Sequence, residues 1–216
     1  MKRIPLFPLN TVLFPHVPLP LHIFEQRYRD MIGRCIEEQS PFGVVLIRSG
    51  VEVGGPAEPY DVGTTARISR VQRLPDGRMN LIVIGTRRFR IHALDTSHPH
   101  LEGDVAYLES EDADTSEARD LAARVAALQG EQMRLKLCST GQWQRVLSLP
   151  DEPDVLADVV AAQLDAAPEA KQTLLETLSV PERLRAEAEI LGDLIGNLVE
   201  RWDETRQLKY AGAALN

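Results

Sequence analysis

The start of the chain mixes prolines with large apolar side chains, and this mixture limits what the chain can fold into more than any other feature. Pro5, Pro8 and Pro15 interrupt the apolar runs within the first fifteen residues. Each proline fixes its own φ and pushes the preceding residue into extended backbone, so an early helix is excluded. Apolar side chains at this density are expected to be buried. The sequence therefore predicts extended chain laid against a core.

Apolar residues then recur at spacings of three and four, the pattern of an amphipathic helix. Its apolar positions are Phe24, Tyr28, Met31, Ile32, Cys35 and Ile36. The sequence predicts that this helix runs to about Glu38. We expect its apolar face to pack on a sheet.

The next sixty residues have the composition of β-strands. Residues 42–47 form a continuous apolar run typical of a buried strand, and residues 66–71 alternate as a half-exposed strand does. Asp76 and Gly77 separate that run from another at 80–84. An Asp-Gly pair between two strands favours a hairpin in which both central residues adopt positive φ.

After an acidic run, the spacing of the apolar residues changes to the one typical of helices. The run comprises Glu109, Glu111, Asp112, Asp114 and Glu117. We interpret it as a solvated linker and helix start, with helices following as far as Tyr210. A further turn or two of helix is predicted within residues 143–149.

Charge and composition exclude several classes of protein. The formal net charge is -8, which disfavours nonspecific binding to nucleic acid or to anionic membranes. Prolines interrupt any early signal-peptide core, and no stretch approaches the roughly 20 apolar residues that cross a bilayer. We therefore expect a cytoplasmic protein whose two cysteines, Cys35 and Cys138, stay reduced.

The motifs in the β half resemble those of the N-terminal domain of Lon proteases, which that family uses to bind substrate. Besides the proline-rich opening, the resemblance rests on Phe42-Gly43, Val62-Gly63-Thr64, Ala66, Ile68, Leu74-Pro75-Asp76-Gly77, Asn80 and residues 85–91. It covers essentially the whole chain and implies a free-standing substrate-binding domain without the ATPase and protease domains.

The resemblance and the residue patterns imply the same α+β fold class. We expect a curved β-sheet subdomain of the PUA-like class with one early helix, followed by a C-terminal helical bundle. The boundary is expected between a β-rich subdomain at 1–112 and a helical subdomain at 113–216.

Motifs for catalysis are missing from the sequence. None of the four lysines is preceded by glycine or followed by serine or threonine, so no phosphate-binding loop is present. None is placed to lie buried beside a nucleophilic serine. His98 and His100 lie close together, but a metal site needs further ligands. We therefore expect no enzyme activity, no metal and no cofactor.

The leading functional hypothesis is a non-catalytic module that binds apolar or unfolded polypeptide segments in a groove. The candidates for lining or supporting that groove are Phe7, Phe14, Phe24, Tyr28 and Phe89, with a place in the structural core as the alternative for each. A separate protease or chaperone is a conceivable partner. Self-association stays open, and no membrane partner is expected.

The alternative hypothesis is an RNA-binding protein of the PUA-like class. Arg87, Arg88 and Arg90, interleaved with Phe89, form the candidate basic patch. Strand alternation would place Arg88 and Arg90 on one face. A solvated strand face is the competing interpretation of these arginines, and nucleic acid is the less favoured partner.

Overall fold

The strands of this computed structural model lie in one sheet that closes on itself. The structure describes residues 2–55, 57–140 and 149–213, without the side chains of 138–140 and 202–213. Its strands are β1 (Lys2–Leu9), β2 (Pro18–Ile23), β3 (Phe42–Gly50), β4 (Ala57–Arg73), β5 (Met79–Asp95) and β6 (Leu101–Leu108). Its helices are α1 (Gln26–Glu37), α2 (Ser116–Thr140), α3 (Pro153–Gln163), α4 (Pro168–Glu176) and α5 (Val180–Ala213).

The proline-rich entry is extended, as predicted, and forms β1 and β2. The predicted amphipathic helix is α1, which ends at Glu37. The prediction of a turn within residues 143–149 falls almost entirely outside the described residues, as do the side chains of Cys138 and Trp202.

The strand order is β2-β5-β4-β3-β1-β6, and an additional pairing of β5 with β6 closes the ring. The pair of β1 and β3 is parallel, and the other pairs are antiparallel. The first part of β5, residues 79–84, pairs with β2, and its second part, residues 88–95, pairs with β6. Consequently β2 lies beside the closed ring as an appended strand.

The Asp-Gly pair does form a hairpin, between β4 and β5, but the turn differs from the expected one. Gly77 has a φ of 81°, whereas Asp76 is not among the described residues with positive φ. The Gly77 N–H donates to the Leu74 carbonyl at 3.0 Å, and the Leu74 N–H donates to the Arg78 carbonyl at 2.8 Å. The loop is longer than two residues, and such loops place only one residue in the left-handed region.

Two groups of buried side chains hold the sheet together. The first joins the apolar face of α1, including Met31 and Ile32, to β-strand residues such as Val44 and Val83. The second surrounds Phe89 and is completed by Ile4, Leu6, Val45, Ile91 and Val105. Burial of this apolar surface is the main favourable term in folding.

The chain divides into two compact units, and the division is not the single boundary expected at residue 112. One unit comprises Met1–Glu111 together with Ala161–Leu178, and the other comprises Asp112–Val160 with Ser179–Asn216. Helix α4 belongs to the β-rich unit, where the Gln172 amide donates to the Val62 carbonyl at 2.9 Å. This long-range contact has no signature in local periodicity.

In the other unit, α2 packs against α5. Arg183 is fully buried there, and its guanidinium lies 3.5 Å from the equally buried Asp158 carboxylate. Near the surface of the same unit, Arg185 pairs with Glu117. Across the described residues, no helix combines the length and the apolar character needed to cross a membrane.

Gly85 lies where β5 passes from β2 to β6, and the backbone of residues 14–17 approaches it closely. The His16 N–H donates to the Gly85 carbonyl at 2.9 Å, and the Gly85 N–H donates to the Val17 carbonyl at 3.0 Å. A Cβ at position 85 would lie 2.1 Å from the Phe14 carbonyl oxygen. Glycine is therefore required here for space.

We predict that Gly85→Ala lowers the free energy of unfolding by about 1–3 kcal/mol, because backbone would have to move to admit the methyl group. Gly33→Ala is the matched control. Gly33 lies in α1, and a Cβ added there would meet nothing within 4 Å, so alanine at this position should stabilise by about 0.5–1 kcal/mol. Urea unfolding measures both, and equal effects would contradict the prediction.

Candidate functional site

A groove of about 300 Å³ opens beside β2 in the β-rich unit. It lies between β2, the first turn of α1 and the loop at residues 51–55, which we call the 51–55 loop. Most of its surface is apolar, and the side chains that matter most below are Phe7, Leu19, Leu21, Phe24, Tyr28 and Val53. A concave apolar surface with few polar groups is the usual form of a binding site.

The floor of the groove is part of the protein core. Phe7 and Tyr28 meet edge to face with their ring centroids 4.3 Å apart, and both side chains are buried. Phe7 also meets Phe42 at 6.3 Å. Burial raises the pKa of the Tyr28 hydroxyl, so the ring is neutral at physiological pH. The floor is consequently well packed and uncharged.

The rim, by contrast, leaves large apolar side chains in water. Phe24 is 46% exposed and Val53 is 54% exposed. The Phe24 ring stacks on the His22 ring with centroids 6.0 Å apart, while His22 Nδ1 lies 2.7 Å from Asn80 Oδ1. Because that carboxamide oxygen can only accept, Nδ1 carries the proton. The stack holds Phe24 over the groove.

Two carboxylates attach the 51–55 loop to the rest of the site. Glu52 accepts the Asn10 N–H at 3.1 Å, and Glu25 accepts the Gly54 N–H at 3.4 Å. Glu25 also pairs with Arg27 at 3.0 Å, and that guanidinium lies 4.6 Å from the centre of the Tyr28 ring. The wall of the groove that carries Val53 is therefore fixed by polar contacts.

The outer edge of β2 is poor in hydrogen-bond donors. The Val17 carbonyl accepts from Gly85, and backbone groups of successive strand residues point to alternate sides. Odd-numbered residues of β2 therefore face β5, and even-numbered residues face outward. Two of those outward residues are Pro18 and Pro20, which have no N–H to offer. In the described part of the chain β2 pairs only with β5, so this edge presents mainly carbonyl groups.

The structure brings together three of the five groove candidates from the sequence: Phe7 and Tyr28 in the floor and Phe24 on the rim. Phe14 and Phe89 are fully buried and do not line the groove. Phe14 lies next to Gly85, and Phe89 is the centre of the second core group.

Other groove residues were missed by the sequence reasoning. Leu19 and Leu21 alternate with Pro18 and Pro20 in β2, a pattern that indicates a strand with one apolar face. Val53 lies in the 51–55 loop, between Gly50 and Gly54, where nothing in the sequence indicates a binding residue. Only the fold brings it to the rim.

The basic patch expected for RNA binding is not continuous. Arg88 is 4% exposed and donates its Nε–H to the Leu175 carbonyl at 3.0 Å, because α4 covers that face of β5. The expectation that Arg88 shares a solvated face with Arg90 is wrong. Arg87 lies 4.1 Å above the Tyr107 ring and pairs with Glu109.

His98 and His100 stack with ring centroids 6.2 Å apart. His100 is 4% exposed, and its Nε2 lies 3.3 Å from Arg34 Nη2 and 3.5 Å from Glu102. Burial, followed by the Arg34 charge, lowers the pKa of His100 despite the opposing effect of Glu102. Among the described residues, no three His, Cys, Asp or Glu side chains form a group that could hold a metal ion.

Cys35 borders a small cavity of about 110 Å³ that also contacts His100. The cysteine is buried, and burial raises the pKa of its thiol. Because the thiolate is the nucleophilic form, this thiol is unreactive at neutral pH. The cavity that Cys35 and His100 both line therefore does not hold an activated thiol.

The sequence matches the family described as the ATP-dependent protease La (LON) substrate-binding domain over residues 3–193. It is 30% identical over 191 residues to the Lon protease of Anaeromyxobacter dehalogenans and 31% identical over 189 residues to that of Escherichia coli K12. These matches cover 87% and 84% of this chain but only 23% and 24% of the two proteases. The chain thus spans about a quarter of the length of these relatives.

Two solved structures have a similar fold. The Lon N-terminal domain protein from Xanthomonas campestris superposes with a TM-score of 0.62 at 28% identity, covering 86% of this chain and 96% of that one. The N-terminal domain of the Mycobacterium avium complex Lon protease gives a TM-score of 0.63 at 24% identity, covering 89% and 99%. The second likeness supports the fold alone.

We predict that stability falls as the pH is lowered from 7 through the ordinary range of histidine titration. The pKa of His100 is lower in the folded state than in the unfolded chain, so the unfolded chain binds the extra proton and acid favours unfolding. His100→Gln should reduce this pH dependence. Urea midpoints at about pH 7.5 and 5.5 measure the pH dependence of stability. The control is His92→Gln, because His92 is exposed near the end of β5. An unchanged pH dependence in His100→Gln would contradict the prediction.

We predict that replacing both Pro18 and Pro20 by threonine makes the protein self-associate. Threonine supplies two outward N–H groups and favours strands, so the edge of β2 becomes competent to pair with another chain. Light scattering during gel filtration at rising concentration measures the effect. Lysine at the same two positions supplies the same N–H groups but repels a second chain, and should not increase association. Identical elution of the threonine variant and the parent would disprove the role of the prolines.

Proposed function

This chain belongs to the family of Lon substrate-binding domains, and from that membership we propose that it binds apolar segments of unfolded polypeptides in the groove beside β2. The observation that carries the proposal is the combination of a buried aromatic floor with an exposed apolar rim. Phe24 and Val53 stand in water above Phe7 and Tyr28. An apolar side chain that entered the groove would cover all four.

The size of the groove is compatible with one or two apolar side chains of a client. At about 300 Å³ it is at the lower end of ligand pockets in proteins. Burying a leucine or phenylalanine side chain contributes about 1.5–3 kcal/mol. A single site of this kind gives weak, reversible binding, which suits a module that must release many different clients.

Insertion of side chains is the mode of binding that the groove supports, rather than addition of a strand to the sheet. Strand addition depends on main-chain hydrogen bonds along an open edge. The outer edge of β2 lacks two N–H groups at Pro18 and Pro20. A client strand would leave its own carbonyls unpaired there, and an unpaired backbone group is costly once it is buried.

The proposed role is non-catalytic, and the proposal includes the PUA-like classification of the sheet and an adaptor role beside a separate protease or chaperone. The absence of a phosphate-binding loop from the sequence and the protonated, buried Cys35 thiol both support a role in binding. RNA binding is not proposed, since Arg88 is buried against α4 and Arg87 is paired.

We predict that Phe24→Ala weakens the binding of an apolar client about tenfold, or ~1.4 kcal/mol, because a rim aromatic loses its contact with the client. Val53→Ala should weaken binding by a smaller factor in the same direction. The probe is a labelled, uncharged peptide that carries phenylalanine and leucine in a glycine-serine frame. Fluorescence anisotropy measures the dissociation constants.

Leu94→Ala is the matched control for this experiment. Leu94 is 43% exposed, close to the value for Phe24, but it lies near the far end of β5 and does not line the groove. Its truncation should leave the affinity unchanged. Equal losses for Phe24→Ala and Leu94→Ala, or no loss for Phe24→Ala, would place the binding site elsewhere.

A further inference from the structure

We propose that the groove prefers clients in which a lysine or arginine stands within two residues of the inserted apolar side chain, and that Glu52 is the residue that binds this cation. The inference rests on the proposed function and specifies its substrate class. It follows from the polar atoms that surround the groove, which are mainly acceptors.

The acceptors lie on two sides of the groove. The carboxylates of Glu25 and Glu52 line it, and the carbonyl of Pro20, which also lines it, faces outward along the edge of β2. The donors in the same region are fewer: the Thr11 and Tyr28 hydroxyls belong to residues that line the groove, and His22 has the outward N–H of β2. A client rich in donors therefore fits this rim better than one rich in acceptors.

The two carboxylates differ in what they already bind. Glu25 is paired with Arg27, so its charge is neutralised within the protein. Glu52 accepts one backbone N–H, from Asn10, and no ion pair with Glu52 occurs among the described residues. A carboxylate has about four acceptor positions. Glu52 can therefore accept a client's ammonium or guanidinium group while it continues to hold the 51–55 loop.

The position of Glu52 strengthens such a contact. Its side chain is partly buried and adjoins the exposed apolar surface of Val53, which reduces screening by water compared with an open surface. Hydrogen bonds between ionised groups are about twice as strong as neutral ones. A cation at this position would gain both attraction and hydrogen bonds.

The geometry of an extended client allows both contacts at once. Successive residues of an extended chain are about 3.4 Å apart, and a lysine or arginine stem can lie along apolar surface while its charged end reaches outward. A cation one or two residues from the inserted side chain can therefore reach Glu52. The formal net charge of -8 adds a long-range attraction for cationic clients.

The test uses three labelled peptides that share one phenylalanine in a glycine-serine frame and differ at one flanking position, which is lysine, glutamine or glutamate. We expect the lysine peptide to bind about fivefold more tightly than the glutamine peptide at low salt, and the glutamate peptide to bind most weakly. Added salt should reduce the difference between the lysine and glutamine peptides.

Glu52→Gln removes the charge but keeps an oxygen that can accept the Asn10 N–H. In this variant the ratio of the lysine and glutamine affinities should fall to near one. Glu58→Gln is the matched control, because it changes the net charge by the same amount. Glu58 is exposed, bonds to Ser49 and does not line the groove. In this variant the ratio of the lysine and glutamine affinities should stay near that of the parent.

The outcomes separate the inference from the proposed function. Binding of all three peptides with equal affinity, or a lysine preference that survives Glu52→Gln, would overturn the cation preference while apolar recognition stands. Failure of every peptide to bind would overturn the proposed function and the inference with it. An equal loss of preference in Glu58→Gln would show that net charge acts instead of a contact at Glu52.

Discussion

The pairing of β5 with three other strands is the constraint on which the rest of the β-rich unit depends. Its first part holds β2, its second part holds β6, and β4 lies along both. The change of partner occurs at Gly85, where a side chain would meet the Phe14 carbonyl. Because β2 pairs with the first part of β5 and not with the part that closes the ring, it lies beside the ring, and its residues line the groove together with the first turn of α1. A closed ring alone would have no such appended strand.

The apolar side chains at the groove have two different roles. Phe7 and Tyr28 are buried and contribute to stability, whereas Phe24 and Val53 are left in water. Exposed apolar side chains lose the favourable free energy that burial would provide. Their clustering around one concave surface, together with polar contacts that hold the 51–55 loop, is the feature on which the proposed binding of apolar segments rests. We expect the prolines of β2 to protect the adjacent edge from uncontrolled pairing.

The charged residues show why charge patterns along a sequence are poor guides to function. Arg88 looks like a member of a surface patch, yet it is buried and bonds to the backbone of α4. Arg183 is fully buried beside Asp158 in the other unit. Glu52, which has no notable sequence context, is one of two carboxylates that the fold places on the groove. The environment of each charge, and not its neighbours in sequence, decides its role.

The sequence by itself determined the local structure: extended chain at the prolines, α1 from its apolar period, the hairpin at Asp76 and Gly77, and the family through its β-half motifs. These features depend on residues close in sequence, where backbone restriction and periodicity act directly. Only the tertiary structure decided which aromatic residues share the groove, that α4 joins the β-rich unit, and that Arg88 is buried. Those outcomes depend on pairing between residues far apart in sequence, such as Gln172 with Val62, and local patterns carry no information about them.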